Sequence, residues 1–196
     1  MDAGVIASVI AATLNAGTPL LIAAIGILIH EKSGVLNLGV EGMMLMGAVT
    51  GFGVTYATGS FALGFLAGAL AGLVMAALFG FFTLGLYANQ YAAGLALSLF
   101  GAGLSAFVGQ PLQGMALPSR APTGIPGLEL IPFLGDAFFS SHSLVYLSLI
   151  GLAAVGWFLY KSRPGLMLRA VGESPSSAYA LGYNVRVIRF WAVLFG

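Results

Sequence analysis

Five long apolar runs separated by short polar breaks dominate this sequence, and a sixth begins close to its end. They cover residues 5–29, 42–57, 61–86, 92–108 and 144–160, with the last running from 190 to 196. A helix needs about 20 largely apolar residues to cross the hydrocarbon core of a bilayer, where every backbone polar group must find its partner within the protein. The pattern predicts an all-α fold, a polytopic transmembrane helical bundle in one domain over residues 1–196. Composition enters where the solvent is decided. Only 7% of the residues are charged, against roughly a quarter in a soluble domain, so most of the outer face must meet lipid. The run 190–196 is too short to stop in lipid, which predicts about five complete spans, the start of a sixth, and a chain truncated at its C-terminus.

The polar breaks set the orientation. Segment 161–189 carries Lys161, Arg163, Arg169, Arg186 and Arg189 against one acid, Glu173, whereas the proline-rich stretch 110–143 carries Arg120 against Glu129 and Asp136. Short cytoplasmic loops are enriched in Lys and Arg. Residues 161–189 are therefore expected inside and 110–143 outside. Counting back places 87–91 and 30–41 on the inner side and the N-terminus outside, with no basic residue before Lys32. Asp2 without a basic neighbour is unlike the start of a secretory signal, so the first helix is expected in the mature protein.

Chemistry-bearing motifs are scarce. Gly26 followed by Glu31, Lys32 and Ser33 lacks the second glycine of a phosphate loop and follows an apolar run. His30 and His142 fall on opposite membrane faces in this topology and cysteine is absent, so no metal site or cofactor is expected. No zinc-protease or serine-hydrolase motif occurs, and no catalytic residue is assigned. The net charge of +1 offers nothing to nucleic acid. Gly64, Gly68 and Gly72, and the pair Gly47 and Gly51, have the four-residue spacing that lets membrane helices pack closely.

Two segments stand out. Residues 33–43 bring Asn37 and Glu41 into a glycine-broken apolar stretch. Either a discontinuous helix borders a translocation path there, or an inner loop leads into a helix whose N-terminal dipole Glu41 favours. In 163–184, Ser174 suits an N-cap, Pro175 the first helical position and Gly182 a C-terminal cap, which predicts a short cytoplasmic helix over 175–181.

Taken with segments 31–47, 88–97 and 131–139, segment 163–184 makes the chain resemble permeases of bacterial nucleoside ABC importers. The wider family also imports branched-chain amino acids and simple sugars. The resemblance implies a multi-pass inner-membrane permease subunit, of which this chain is the N-terminal part, with no enzymatic activity of its own. It implies a cytoplasmic ATP-binding subunit, a second permease subunit, homologous or identical, and an extracytoplasmic substrate-binding lipoprotein as partners. Residues Arg169, Glu173, Ser174, Pro175, Ala178 and Gly182 would belong to the coupling helix and its approach, docking in a groove of the ATPase. By position, Asn37, Glu41, Asn89 and Gln90 are the candidates to line the path of a nucleoside or similar small polar solute. An ion-coupled secondary transporter using Glu41, and a non-transporting membrane assembly protein, remain as alternatives.

Overall fold

The computed structural model describes residues 3–117 and 143–196, all helix and connection without a strand among them. Eight α-helices follow in order: α1 (Ala3–Lys32), α2 (Val40–Thr58), α3 (Phe61–Gly80), α4 (Gln90–Gly109), α5 (Ser143–Lys161), α6 (Arg163–Glu173), α7 (Pro175–Ala180) and α8 (Val185–Phe195). A π-helical turn, Phe81–Gly85, extends α3, and a 3₁₀ turn, Gln110–Leu112, extends α4. Much of the stretch expected outside, together with His142 and segment 131–139, lies outside the described residues.

Four stretches are long and apolar enough to cross a membrane: Ser8–Lys32, Phe61–Gly85, Gln90–Leu112 and Leu144–Lys161. This is the polytopic helical membrane protein the apolar runs predicted. The fifth expected complete span, α2, is the exception on apolarity, because Glu41 and its glycines dilute it.

The chain divides into two compact units. The first holds the N-terminal part of α1 and most of α5. There Thr18 and Ser148 turn their hydroxyls back onto the carbonyls of Leu14 and Val145, 2.8 and 2.7 Å away. A hydroxyl in an apolar helix otherwise has no partner.

The second unit runs from Gly26 to Leu117 and from Leu159 to Gly196. Its outer surface is apolar: Leu63, Phe65, Leu66, Leu70 and Val74 of α3 are exposed, while Gly64, Met75, Ala76, Phe79 and Gly80 of the same helix are buried. Large apolar residues outside, with glycine and alanine among the buried ones, is an arrangement that suits lipid, which supplies no hydrophobic force between helices. Helix α2 packs against both α3 and α4. A Cβ on Gly51 would lie 3.1 Å from the Gly64 carbonyl oxygen, and one on Gly68 2.8 Å from that of Gly47. The two glycine series read from the sequence thus form one seam, except that Gly72 meets nothing within 4 Å. On the other face of α2, a Cβ on Gly101 would sit 2.5 Å from Gly42 Cα, so α2 and α4 cross backbone to backbone. Val35, Met75, Phe79, Leu84, Leu97 and Val193 form the buried core, which gathers α3, α4, α8 and the α1–α2 connection.

Segment 161–189, read as a polar loop with one short helix, is mostly helical. Ser162 Oγ accepts from the Gly165 N–H (3.1 Å) to start α6, and Asn184 Oδ1 accepts from the Val187 N–H (3.2 Å) to start α8 before the apolar run at 190. Both helices begin in polar sequence, outside the apolar runs. Asn89 caps α4 in the same way, accepting from the N–H groups of Tyr91 (2.9 Å) and Ala92 (3.2 Å). Asn89→Ala is expected to cost about 1 kcal/mol, read as a lowered thermal unfolding midpoint of the detergent-solubilised protein.

Candidate functional site

The two segments singled out in the sequence meet in the second unit. Helix α1 ends in a Schellman motif: the Gly34 N–H donates to the Glu31 carbonyl (2.9 Å) and the Val35 N–H to that of His30 (3.0 Å). Gly34 takes φ +78°, a conformation that glycine adopts without steric cost. Residues 35–39 then run without helix before α2 begins. Burial alternates along this segment: Val35, Asn37 and Gly39 are buried while Leu36 and Leu38 are exposed.

Side-chain amides satisfy the freed backbone. The Leu36 N–H donates to Gln90 Oε1 (2.9 Å), and the Gly39 N–H to Asn37 Oδ1 (2.8 Å). Asn37 Nδ2 lies 3.3 Å from His30 Nδ1, and His30 Nε2 lies 3.2 Å from the Val193 carbonyl oxygen. A carbonyl only accepts, so Nε2 carries the imidazole proton and Nδ1 accepts from Asn37. The close fit of α4 also holds the segment, since a Cβ on Gly94 would stand 2.8 Å from the Leu38 nitrogen. Glu41 is exposed in the first turn of α2. Of the four candidate path residues, Asn37 and Gln90 hold the bend, Asn89 caps α4, and Glu41 stands outward.

The second constellation is α6–α7–α8. Ser174 Oγ accepts from the Ser177 N–H (3.4 Å) at the start of α7, and Pro175 occupies its first position. The helix closes with another Schellman motif, in which the Gly182 N–H donates to Tyr179 (2.9 Å) and the Tyr183 N–H to Ala178 (3.1 Å). Gly182 has φ +89°. Ala178 is buried, while Glu173, at the end of α6, is exposed. The Arg169 guanidinium lies 4.9 Å from the ring centre of Tyr160, and its buried Nε has no hydrogen-bond partner among the described residues.

In the sequence Arg189 is one of the basic residues that mark the expected inner side. It donates through Nε to the Ser33 carbonyl (3.0 Å) and through Nη2 to that of Val171 (3.5 Å). Nothing in a single sequence signals contacts 156 residues apart. A cavity of about 620 Å³ opens beside α7, with Tyr87, Gln90, Tyr179, Asn184 and Arg186 among its lining. Arg186 stacks 4.9 Å from the Tyr87 ring centre, and Tyr87 follows the π turn at φ +57°. Among the described residues no group of three potential metal ligands occurs.

Comparison with known proteins supplies what geometry does not. The chain is 41% identical over 199 residues to a Haloferax volcanii protein whose name gives it as a glucose ABC transporter permease, TsgC13, covering 97% of this chain and 59% of that one. It is 33% identical to the guanosine ABC transporter permease NupQ of Bacillus subtilis, covering 97% of this chain and 63% of the relative. It is 35% identical to the nucleoside ABC transporter permease NupC of Lactococcus lactis, covering 95% and 62%. The chain thus spans about six tenths of the length of these relatives. No solved structure matches it. The model of one family matches residues 9–196, nearly the whole chain, and this multi-pass membrane protein belongs to that family, the permease component of the branched-chain amino acid transport system.

Proposed function

We propose that the chain is the N-terminal part of the membrane-spanning permease subunit of an ABC importer, carrying a nucleoside or similar small polar solute. ATP hydrolysis takes place on a separate cytoplasmic subunit, and the permease moves solute without catalysing a reaction. The observation that carries the reading is α7, a helix capped at both ends and flanked by α6 and α8. A short rigid helix on the basic side of the protein is suited to receive force from a partner. Residues 161–189 face the cytoplasm and the N-terminus faces outward, by the excess of Lys and Arg after α5. Arg169, Glu173, Ser174, Pro175, Ala178 and Gly182 form the coupling helix and its approach. The non-helical segment 35–39, with Asn37, Glu41, Asn89 and Gln90, borders the inner end of the translocation path, as broken helices do in transporters. A second permease subunit and an extracytoplasmic substrate-binding lipoprotein complete the importer.

Relatives named for guanosine, nucleoside and glucose support a small hydroxylated solute. The test is uptake of labelled guanosine, uridine and glucose by proteoliposomes holding the full-length permease, its ATPase and its binding protein. Uptake is expected to need ATP inside the ATPase-facing compartment and to survive collapse of the ion gradients. Uptake that runs without the ATPase and stops when a gradient collapses would instead make Glu41 an ion-coupling site.

A further inference from the structure

We infer that Arg189 is the positioning residue of a joint that passes movement of α6 and α7 to the bend at residues 33–39, an inference that rests on the permease reading above. The joint begins with a carbonyl that the helix leaves unpaired. In α6 the Val171 carbonyl would accept from the N–H four residues on, but that residue is Pro175, which has none. Arg189 Nη2 takes the place of that donor at 3.5 Å, while its Nε holds the Ser33 carbonyl at 3.0 Å. One planar guanidinium therefore clamps the end of α6 to the end of α1.

No side chain cushions that contact. A Cβ on Gly172 would collide with the Lys32 carbonyl oxygen, and one on Gly34 would fall 2.8 Å from Arg189 Nη2 and 3.2 Å from Gly172 Cα. The two backbones touch, so a shift of α6 reaches Gly34 directly.

A second tie lies one turn further along α8. Residues four apart share a helix face, and the Val193 carbonyl meets His30 Nε2, whose other nitrogen meets Asn37, whose oxygen holds the Gly39 N–H. His30, Ser33 and Asn37 are all buried. Breaking either tie strands buried polar groups, so α6, α8 and the bend move as one body.

The experiment uses the full-length permease with its ATPase and binding protein in proteoliposomes, as wild type, Arg189→Gln and Arg189→Lys. Solute uptake and ATP hydrolysis are read on the same vesicles. A parallel set carries spin labels on cysteines introduced at Leu36 and Leu166, both exposed, in a full-length permease from which any cysteine outside residues 1–196 has been replaced by serine. Arg189→Gln is expected to lower uptake about tenfold, the equivalent of one charged hydrogen bond, with ATP hydrolysis within about twofold of wild type and a broadened Leu36–Leu166 distance distribution. Arg189→Lys keeps the charge and one carbonyl contact, and is expected to fall between the two in uptake per ATP. A clamp that only supports the fold would lower uptake and hydrolysis in step, and that result overturns the joint. So does a distance distribution as narrow in Arg189→Gln as in wild type. If Arg189→Gln fails to insert, Arg189→Lys decides: wild-type uptake per ATP overturns the joint. If wild type shows no ATP-driven uptake, the permease reading fails, and the spin-label distances still decide whether Arg189 holds the bend to α6.

Discussion

Gly101→Leu is expected to insert into the membrane and fail to pack. The glycine lies where α2 and α4 cross, and a Cβ there would stand 2.5 Å from Gly42 Cα, 2.6 Å from its oxygen and 2.7 Å from its carbonyl carbon. All three are backbone atoms, so no rotamer change relieves the overlap. Overpacking a core usually costs about 1–3 kcal/mol because side chains can yield; here a helix must move, and the cost should exceed about 3 kcal/mol, a large share of a stability of about 5–15 kcal/mol. The same crossing seats the bend, since Gly42 and Gly94 contact α4 and residue 38 in turn. The measurement is the monodisperse fraction and unfolding midpoint of the full-length protein in detergent, with Gly103→Leu as control. Gly103, two residues along α4, meets nothing within 4 Å. Equal behaviour of the two variants would mean that α2 and α4 do not cross at Gly101.

The second large effect is expected at α7. Ala178 donates its N–H to the Ser174 carbonyl (3.0 Å), accepts from the Tyr183 N–H through its own carbonyl (3.1 Å), and is buried. Proline at this position removes the donor and clashes with the Ser174 carbonyl, a cost of about 3 kcal/mol in a helix interior. With six residues, α7 has no reserve of other hydrogen bonds to absorb that loss. Ala178→Pro should therefore melt α7 while the apolar helices insert as before. Uptake is expected to drop to background, with membrane abundance near wild type and ATP hydrolysis by the partner subunit continuing. Unchanged uptake would remove α7 from the coupling role. Arg169→Ala should act in the same direction but less strongly, because it removes only the guanidinium stacked on Tyr160.

Much of the framework was legible because its physics is local. Apolar runs of membrane length announce helices whatever their neighbours, and α1, α3, α4 and α5 lie on such runs. Capping chemistry is local too: Ser174, Pro175 and Gly182 marked the ends of α7 to within a residue. The missed helices, α6 and the first turn of α8, carry equally local signals in Ser162, Pro164 and Asn184. These helices have a polar face, so apolar length alone does not mark them.

The hydrogen-bond partners of the polar residues were not legible. By position Asn37, Asn89 and Gln90 are candidates for one path; that Asn37 and Gln90 also splint the bend and Asn89 also starts α4 is visible only in the structure. Their partners depend on which strands of backbone come together, and nothing within a few residues of Gln90 points to Leu36.

The sequence by itself determined that this protein is a bundle of membrane helices, because apolar length and charge poverty leave no other way to satisfy the backbone in lipid. It also determined where close packing was possible, through the glycines at 47, 51, 64 and 68. Only the tertiary structure decided that α6, α8 and the α1–α2 bend are tied together by Arg189, His30 and Asn37. A hydrogen bond between residues 156 positions apart is a property of how the helices pack, and a buried donor takes whichever acceptor that packing brings within reach.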